Sequence, residues 1–167
     1  NGYIRVESAL GRGSALSIFL PATSKRKEIS VQKSEALPTG TERILLVDDE
    51  PAIAKMGTQI LTQLGYAVTS RTDSREAFEL FRSRPNDFDL VITDMTMPTM
   101  TGDQLAMELL AIRPDIPIIL CTGYSKNLSE ESAAEIGIAA FTYKPLVKSE
   151  LAQTVRRVMD ENSGQAP

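Results

Sequence analysis

Two kinds of hydrophobic spacing divide this chain. From Tyr3 to Ser8, and again from Ala15 to Leu20, polar and apolar residues alternate, with Gly11-Arg12-Gly13-Ser14 between them. A period of two interrupted by a glycine-rich turn predicts a β-hairpin over residues 1–22. A solitary hairpin is marginal in water. The next stretch, 23–42, holds Lys25-Arg26-Lys27, scattered Ser and Glu, and Pro38-Thr39-Gly40, with almost no apolar periodicity. That composition predicts a linker.

From Arg43 the texture changes to short apolar runs alternating with helical patterns, the signature of βαβ units around a parallel sheet. The expected strands are Ile44 to Val47, Ala67 to Ser70, Leu90 to Thr93, Ile116 to Leu120 and Ala140 to Tyr143. Several are apolar throughout, which means burial on both faces. Between them Ile53, Met56, Ile60, Leu61 and Leu64 recur at helical spacing, as do Ala77, Phe78 and Phe81, then Leu105, Leu109 and Ile112, and finally Leu151, Val155, Val158 and Met159. Pro51 suits a first helical turn, Asp73 to Glu76 a helix start, and Thr101-Gly102-Asp103-Gln104 a capping box. The segment from Ser129 to Ile136 is the weakest helix, because only Ala133, Ala134 and Ile136 can be buried. The α/β domain is therefore expected over 43–162, with a short disordered tail at 163–167.

Composition narrows the chemistry. The 167 residues are 42% hydrophobic and carry 18 basic against 22 acidic side chains, a net charge of -4. That balance lacks the basic patch that phosphate-backbone binding demands, so nucleic acid is not an expected partner. There is one cysteine, Cys121, and no histidine. A lone cysteine at the end of an apolar strand predicts an inert buried thiol in a reducing compartment. No apolar run approaches a membrane span, so a cytoplasmic location without membrane contact is expected. The chain opens on Asn1 rather than Met, which predicts a longer parent protein.

In an open α/β sheet, ligands gather beyond the carboxyl ends of the strands, where strand order reverses. Asp48, Asp49 and Glu50 follow the first strand, Asp94 the third, Thr122-Gly123 the fourth and Lys144-Pro145 the fifth. Carboxylates crowded at one edge need a positive partner, and one Lys144 does not balance them. Without His or paired Cys the donors do not suit zinc. Hard oxygens left partly open suit Mg²⁺, which takes one or two carboxylates plus phosphate oxygens. The parts match phosphoryl transfer, where catalysis is mostly positioning and charge neutralisation. Asp94 is then the nucleophile. Asp49, Asp94 and the Thr96 backbone carbonyl are expected to hold the metal, with Asp48 binding it directly or through water. Thr122 and Lys144 are expected to meet phosphoryl oxygens.

Residues 43–162 resemble a bacterial two-component receiver domain, through Leu46-Val47-Asp48-Asp49-Glu50, Ile92-Thr93-Asp94-Met95-Thr96-Met97-Pro98, Thr101-Gly102, Cys121-Thr122-Gly123 and Tyr143-Lys144-Pro145. The resemblance implies a flavodoxin-like, doubly wound (βα)5 parallel sheet, a phosphoaspartate at Asp94 and a cis bond before Pro145. It also implies a switch aromatic three residues before the lysine, here Phe141 where the family often has Tyr. Thr122 drawn inward would let Phe141 turn in, biasing the face of the fourth helix, fifth strand and last helix.

Residues 1–22 carry a second resemblance, to the closing strands of a sensor histidine kinase ATPase domain, through Gly2-Tyr3-Ile4-Arg5-Val6-Glu7-Ser8 and the run from Gly11 to Pro21. Together the two imply the C-terminal fragment of a hybrid histidine kinase, whose receiver takes phosphate from a phosphohistidine of a kinase or phosphotransfer domain, in cis or in trans. Only five residues follow Asn162, so no DNA-binding output domain is expected, which favours a relay or feedback element. The ATP-gripping motifs lie upstream in that family, so this chain is not expected to bind ATP or form phosphohistidine. Two alternatives stay open: a pseudo-receiver that binds proteins without phosphotransfer, and the non-catalytic end of an ATP-dependent kinase.

Overall fold

The computed structural model describes residues 2–22, 36–123 and 136–164. Contacts divide the chain into two units, Asn1–Glu35 and Ala36–Pro167. In the first, Tyr3–Ala9 (β1) and Gly13–Phe19 (β2) pair antiparallel from Tyr3 opposite Phe19 to Ala9 opposite Gly13. The turn needs positive φ at Gly11 and Gly13, a region open to glycine at little cost. The register puts Ile4, Val6, Leu16 and Ile18 on one face, and the Tyr3 and Phe19 rings stack on the other.

The second unit is a parallel sheet of Arg43–Val47 (β3), Ala67–Arg71 (β4), Leu90–Asp94 (β5), Ile118–Thr122 (β6) and Ala140–Tyr143 (β7), in the order β4-β3-β5-β6-β7. Its described helices are Pro51–Gln63 (α1), Ser74–Ser83 (α2), Gly102–Ile112 (α3) and a C-terminal helix, Lys148–Ser163. The chain leaves β3 for β4 on one side and returns to place β5 on the other. The switch point therefore lies between β3 and β5.

Two cores explain the unbroken apolar strands. Ile44 and Leu46 of β3 face a cluster with Leu61, Leu151, Val155 and Val158, whereas Leu45 and Val47 face Phe81, Leu105, Leu109 and Ile118 on the opposite side. Successive strand residues thus enter different cores, which a parallel sheet covered on both faces requires. Helix starts agree with their sequences. Pro51 opens α1, and the Asp73 carboxylate accepts the N–H groups of Arg75 and Glu76 to cap α2.

Several boundaries differ from expectation. β6 begins at Ile118 rather than Ile116: Pro117 has no N–H to give, and the Ile116 N–H turns back to the Arg113 carbonyl. At its other end the pairing with β7 runs on to Thr122 opposite Tyr143, so Thr122 is the last residue of a strand, not part of the loop beyond it. Residues 36–42, read from sequence as linker, belong to the second unit. Leu37 packs on its core, and the Gly40 N–H bonds the Leu64 carbonyl at 3.1 Å. Gly65, at φ +98°, lets this segment pass so closely that a Cβ there would lie 2.5 Å from the Gly40 carbonyl oxygen. Glu42 then meets Arg156 of the C-terminal helix at 2.8 Å. That helix runs to Ser163, past the expected domain end at 162. The rest of the linker, the expected helix over Ser129 to Ile136 except its last residue, and 165–167 of the tail lie outside the described residues.

Arg43 grips Asp89 with two side-chain hydrogen bonds and its own backbone N–H. These bonds outweigh burial and hold the Asp89 carboxyl below its ordinary range. A depressed folded-state pKa contributes stability that is complete above the unfolded value of about 3.9 and is lost as pH falls through the lower folded value. Asp89→Asn is expected to lessen the loss of stability on going from neutral pH to about pH 3, read from urea midpoints, by a modest amount because the pair is partly exposed.

Candidate functional site

Four strand ends converge at the switch point. Asp48 follows β3 directly, its N–H held by the Arg71 carbonyl, and Asp94 is the last residue of β5. Lys144 follows β7, its N–H bonded to the Thr122 carbonyl at 2.9 Å. The Lys144 Nζ lies 2.8 Å from Asp48 Oδ2 and 2.8 Å from Asp94 Oδ1. Both carboxylates are buried, at 3% and 5% exposure, and one ammonium bridges them.

Each carboxylate also uses its other oxygen. Asp48 Oδ1 accepts from the Glu50 N–H at 3.0 Å, and Asp94 Oδ2 accepts from the Thr96 N–H at 3.1 Å. Burial opposes the charge on Lys144, but the bonds to Asp48 and Asp94 outweigh it and raise its pKa above the ordinary lysine value. The ammonium is therefore a fixed cation at neutral pH. With half-buried Asp49 next in sequence to Asp48, three carboxylates still outnumber it.

The remaining expected residues are less engaged. The Thr122 hydroxyl donates to the Gly123 carbonyl at 2.9 Å rather than to Asp94. Thr96, whose carbonyl is the expected metal ligand, donates its amide N–H to Asp94. Phe141 is half-buried on β7, and the Lys144–Pro145 bond is cis. Cys121 stands opposite Asp94 in register. Burial, with the Asp94 charge adding, pushes its thiol up to about 12, so it stays neutral and inert.

Gly102 has a role that spacing alone did not reveal. A Cβ there would sit 2.2 Å from the Asp94 carbonyl oxygen and 3.1 Å from the Met95 Cα, so α3 starts directly against the main chain that carries Asp94. Its N–H bonds the Met95 carbonyl at 2.9 Å. Thr101-Gly102-Asp103-Gln104 read as a cap, and the Thr101 N–H does donate to Gln104 Oε1. The available signal was a glycine in the first helical position after the Thr101 cap, where helix propensity alone favours almost any other residue.

Residues 44–156 match the model of the response regulator receiver domain. The chain belongs to that family. Receiver domains take phosphoryl groups from histidine kinases or phosphotransfer proteins, and this one is thereby a part of phosphorelay signal transduction. Sensor kinase CckA of Brucella abortus (strain 2308) is 31% identical over 170 residues, covering 96% of this chain and 18% of that protein. Two-component response regulator ARR12 of Arabidopsis thaliana is 32% identical over 141 residues, covering 82% of this chain and 23% of its own length. The chain thus spans about a fifth of these relatives. Among solved structures, a CheY-like receiver domain protein from Methanospirillum hungatei JF-1 superposes with a TM-score of 0.69 at 28% identity, covering 76% of this chain and all of that one. No helix among the described residues is long and apolar enough to cross a membrane.

Removing the bridging cation of this receiver domain leaves two buried carboxylates facing each other. Breaking a buried ion pair by deleting one partner costs about 3–5 kcal/mol. Lys144→Met is expected to lower the unfolding free energy by about 3 kcal/mol in denaturant titrations, and adding Asp48→Asn to recover part of it. Gly102→Ala must push the Asp94 backbone aside, and a loss of about 1–3 kcal/mol is expected in the same titration.

Proposed function

We propose that this receiver domain accepts a phosphoryl group from phosphohistidine onto Asp94, with Mg²⁺ as cofactor, and thereby switches a protein-interaction face. The observation that carries the reading is the single Lys144 ammonium held 2.8 Å from both Asp48 and Asp94 at the switch point of the sheet. One Asp94 oxygen bonds to phosphorus as the P–N bond to the imidazole breaks. The imidazole leaves with the bonding electrons and takes up a proton. Lys144, already charged, moves from the Asp94 carboxylate to an oxygen of the incoming group as a mobile point charge. The Thr122 hydroxyl leaves the Gly123 carbonyl to donate to another.

The donors suit Mg²⁺, because the candidate atoms are hard oxygens and Cys121, opposite Asp94, stays a neutral thiol. Asp49, Asp94 and the Thr96 carbonyl would hold the ion, with Asp48 binding directly or through water. Among the described residues no group of three His, Cys, Asp or Glu side chains is gathered as for an all-protein cage. Mg²⁺ does not require one, since it keeps several waters. When bound it neutralises charge on the transferring phosphoryl group.

The parent reading is supported by the sensor kinase alignment, which spans 96% of the chain and so extends beyond the receiver into residues 1–22. Residues 1–22 are on this view the closing strands of a kinase ATPase domain, followed by a linker and the receiver of a hybrid histidine kinase. The donor is a phosphohistidine in cis or in trans, the setting is cytoplasmic, and this segment touches neither nucleic acid nor membrane. Phosphorylation adds about 1.5–2 negative charges, which recruit Thr122 and Lys144 and bias Phe141 and the face around β7 and the C-terminal helix.

Incubation with phosphoramidate and Mg²⁺ is expected to add one phosphoryl group by intact mass. EDTA or Asp94→Asn should abolish the adduct, and Lys144→Met should slow its formation at least tenfold. Failure of the unaltered chain to form a Mg²⁺-dependent adduct would leave a protein-binding module that keeps the fold without the chemistry.

A further inference from the structure

Strand register sets Tyr143, rather than Phe141, beside Thr122. β6 and β7 run parallel with Leu120 opposite Phe141 and Thr122 opposite Tyr143. Neighbouring strands lie about 4.8 Å apart, and side chains alternate faces along each, so opposed residues share a face. Ala140 and Thr142 are buried, leaving Phe141 and Tyr143 together on the other face of β7, the outer strand of the five. Their exposures differ: Phe141 is half-buried, whereas Tyr143 is 57% exposed. The pair at the strand end is also tied through the main chain, since the residue after Tyr143 donates its N–H to the Thr122 carbonyl.

Thr122 has its hydroxyl on the Gly123 carbonyl. To donate to a group on Asp94 it must break that bond and rotate or shift. Because Thr is β-branched, a rotation about χ1 exchanges methyl and hydroxyl positions together. The surface that Thr122 presents to its cross-strand neighbour changes with it, and that neighbour is Tyr143. Leu120, the neighbour of Phe141, has no polar group to draw towards Asp94.

We propose that Tyr143 is the positioning residue that carries the movement of Thr122 to the protein surface, so that a phenol on the outer strand takes a position set by the state of Asp94. The inference rests on Asp94 being the phosphoacceptor. It gives this receiver the hydroxyl that Phe141 lacks, two residues along the same face. A partner reading the face would then need a hydrogen-bonding group opposite position 143, which makes Tyr143 a determinant of specificity.

The chain has four tyrosines, Tyr3, Tyr66, Tyr124 and Tyr143, which 3-fluorotyrosine labelling reports as separate fluorine resonances. Tyr143→Phe identifies the Tyr143 line by its loss, and intact mass on the same sample gives the fraction of adduct formed with phosphoramidate and Mg²⁺. The expected result is a displacement of the Tyr143 line by more than its own width, in proportion to adduct. The displacement should persist in Phe141→Leu and shrink in Thr122→Ala compared at equal adduct. An adduct with the Tyr143 line unmoved overturns the inference and leaves Asp94 as acceptor. So does a displacement that vanishes in Phe141→Leu, or one that Thr122→Ala leaves unchanged. No adduct at all removes the acceptor reading and the inference with it.

Discussion

The ammonium of Lys144 between the carboxylates of Asp48 and Asp94 is the contact around which this domain is organised. Two acids buried at one sheet edge are tolerated because a cation and two backbone N–H groups share them. Deep burial keeps the interaction strong, since little solvent screens it. The same arrangement is incomplete as a charge balance, with Asp49 adding a third carboxylate. A site stable with a lysine alone, yet still net negative, is poised to gain from a further cation, and then from a group whose oxygens both cations can share.

The sheet explains why these residues meet although they are far apart in sequence. Every strand of β3, β5 and β6 is apolar on both faces and is sealed by a separate core on each side. Polar groups can emerge only at strand ends, and parallel strands all end at the same edge. The reversal of winding between β3 and β5 opens that edge to solvent. Gly102 sharpens the placement by letting α3 begin against the backbone of Asp94. Fold and chemistry are thus linked through geometry that the strands impose on acid and base alike.

Much of this was legible in the amino-acid order. The strands β3, β4, β5 and β7 were bounded to within a residue at each end because their apolar runs stop at charged or turn-forming residues. The meeting of Asp48, Asp94 and Lys144 followed from their places after strands. What escaped reading depended on contacts between distant segments. Leu37 is one apolar residue in a polar stretch, and nothing local says that a core cluster of the second unit awaits it. The start of β6 hinged on the missing N–H of Pro117, which the apolar run Ile116 to Leu120 conceals. Close approach at Gly102 has no periodicity to betray it. The hydroxyl direction of Thr122, towards Gly123, is a rotamer choice that composition and spacing do not encode.

The docking of residues 36–42 sets where this domain can be cut. Leu37 covers the core, Gly40 hydrogen-bonds the end of α1, and Glu42 pairs with Arg156. A shortened polypeptide begun at Arg43, where β3 starts, would lose the Leu37 packing and the Gly40 hydrogen bond to Leu64, and would leave the Arg156 guanidinium with Asp160 alone. Fragment boundaries for this receiver therefore belong upstream of Ala36, seven residues before β3 begins.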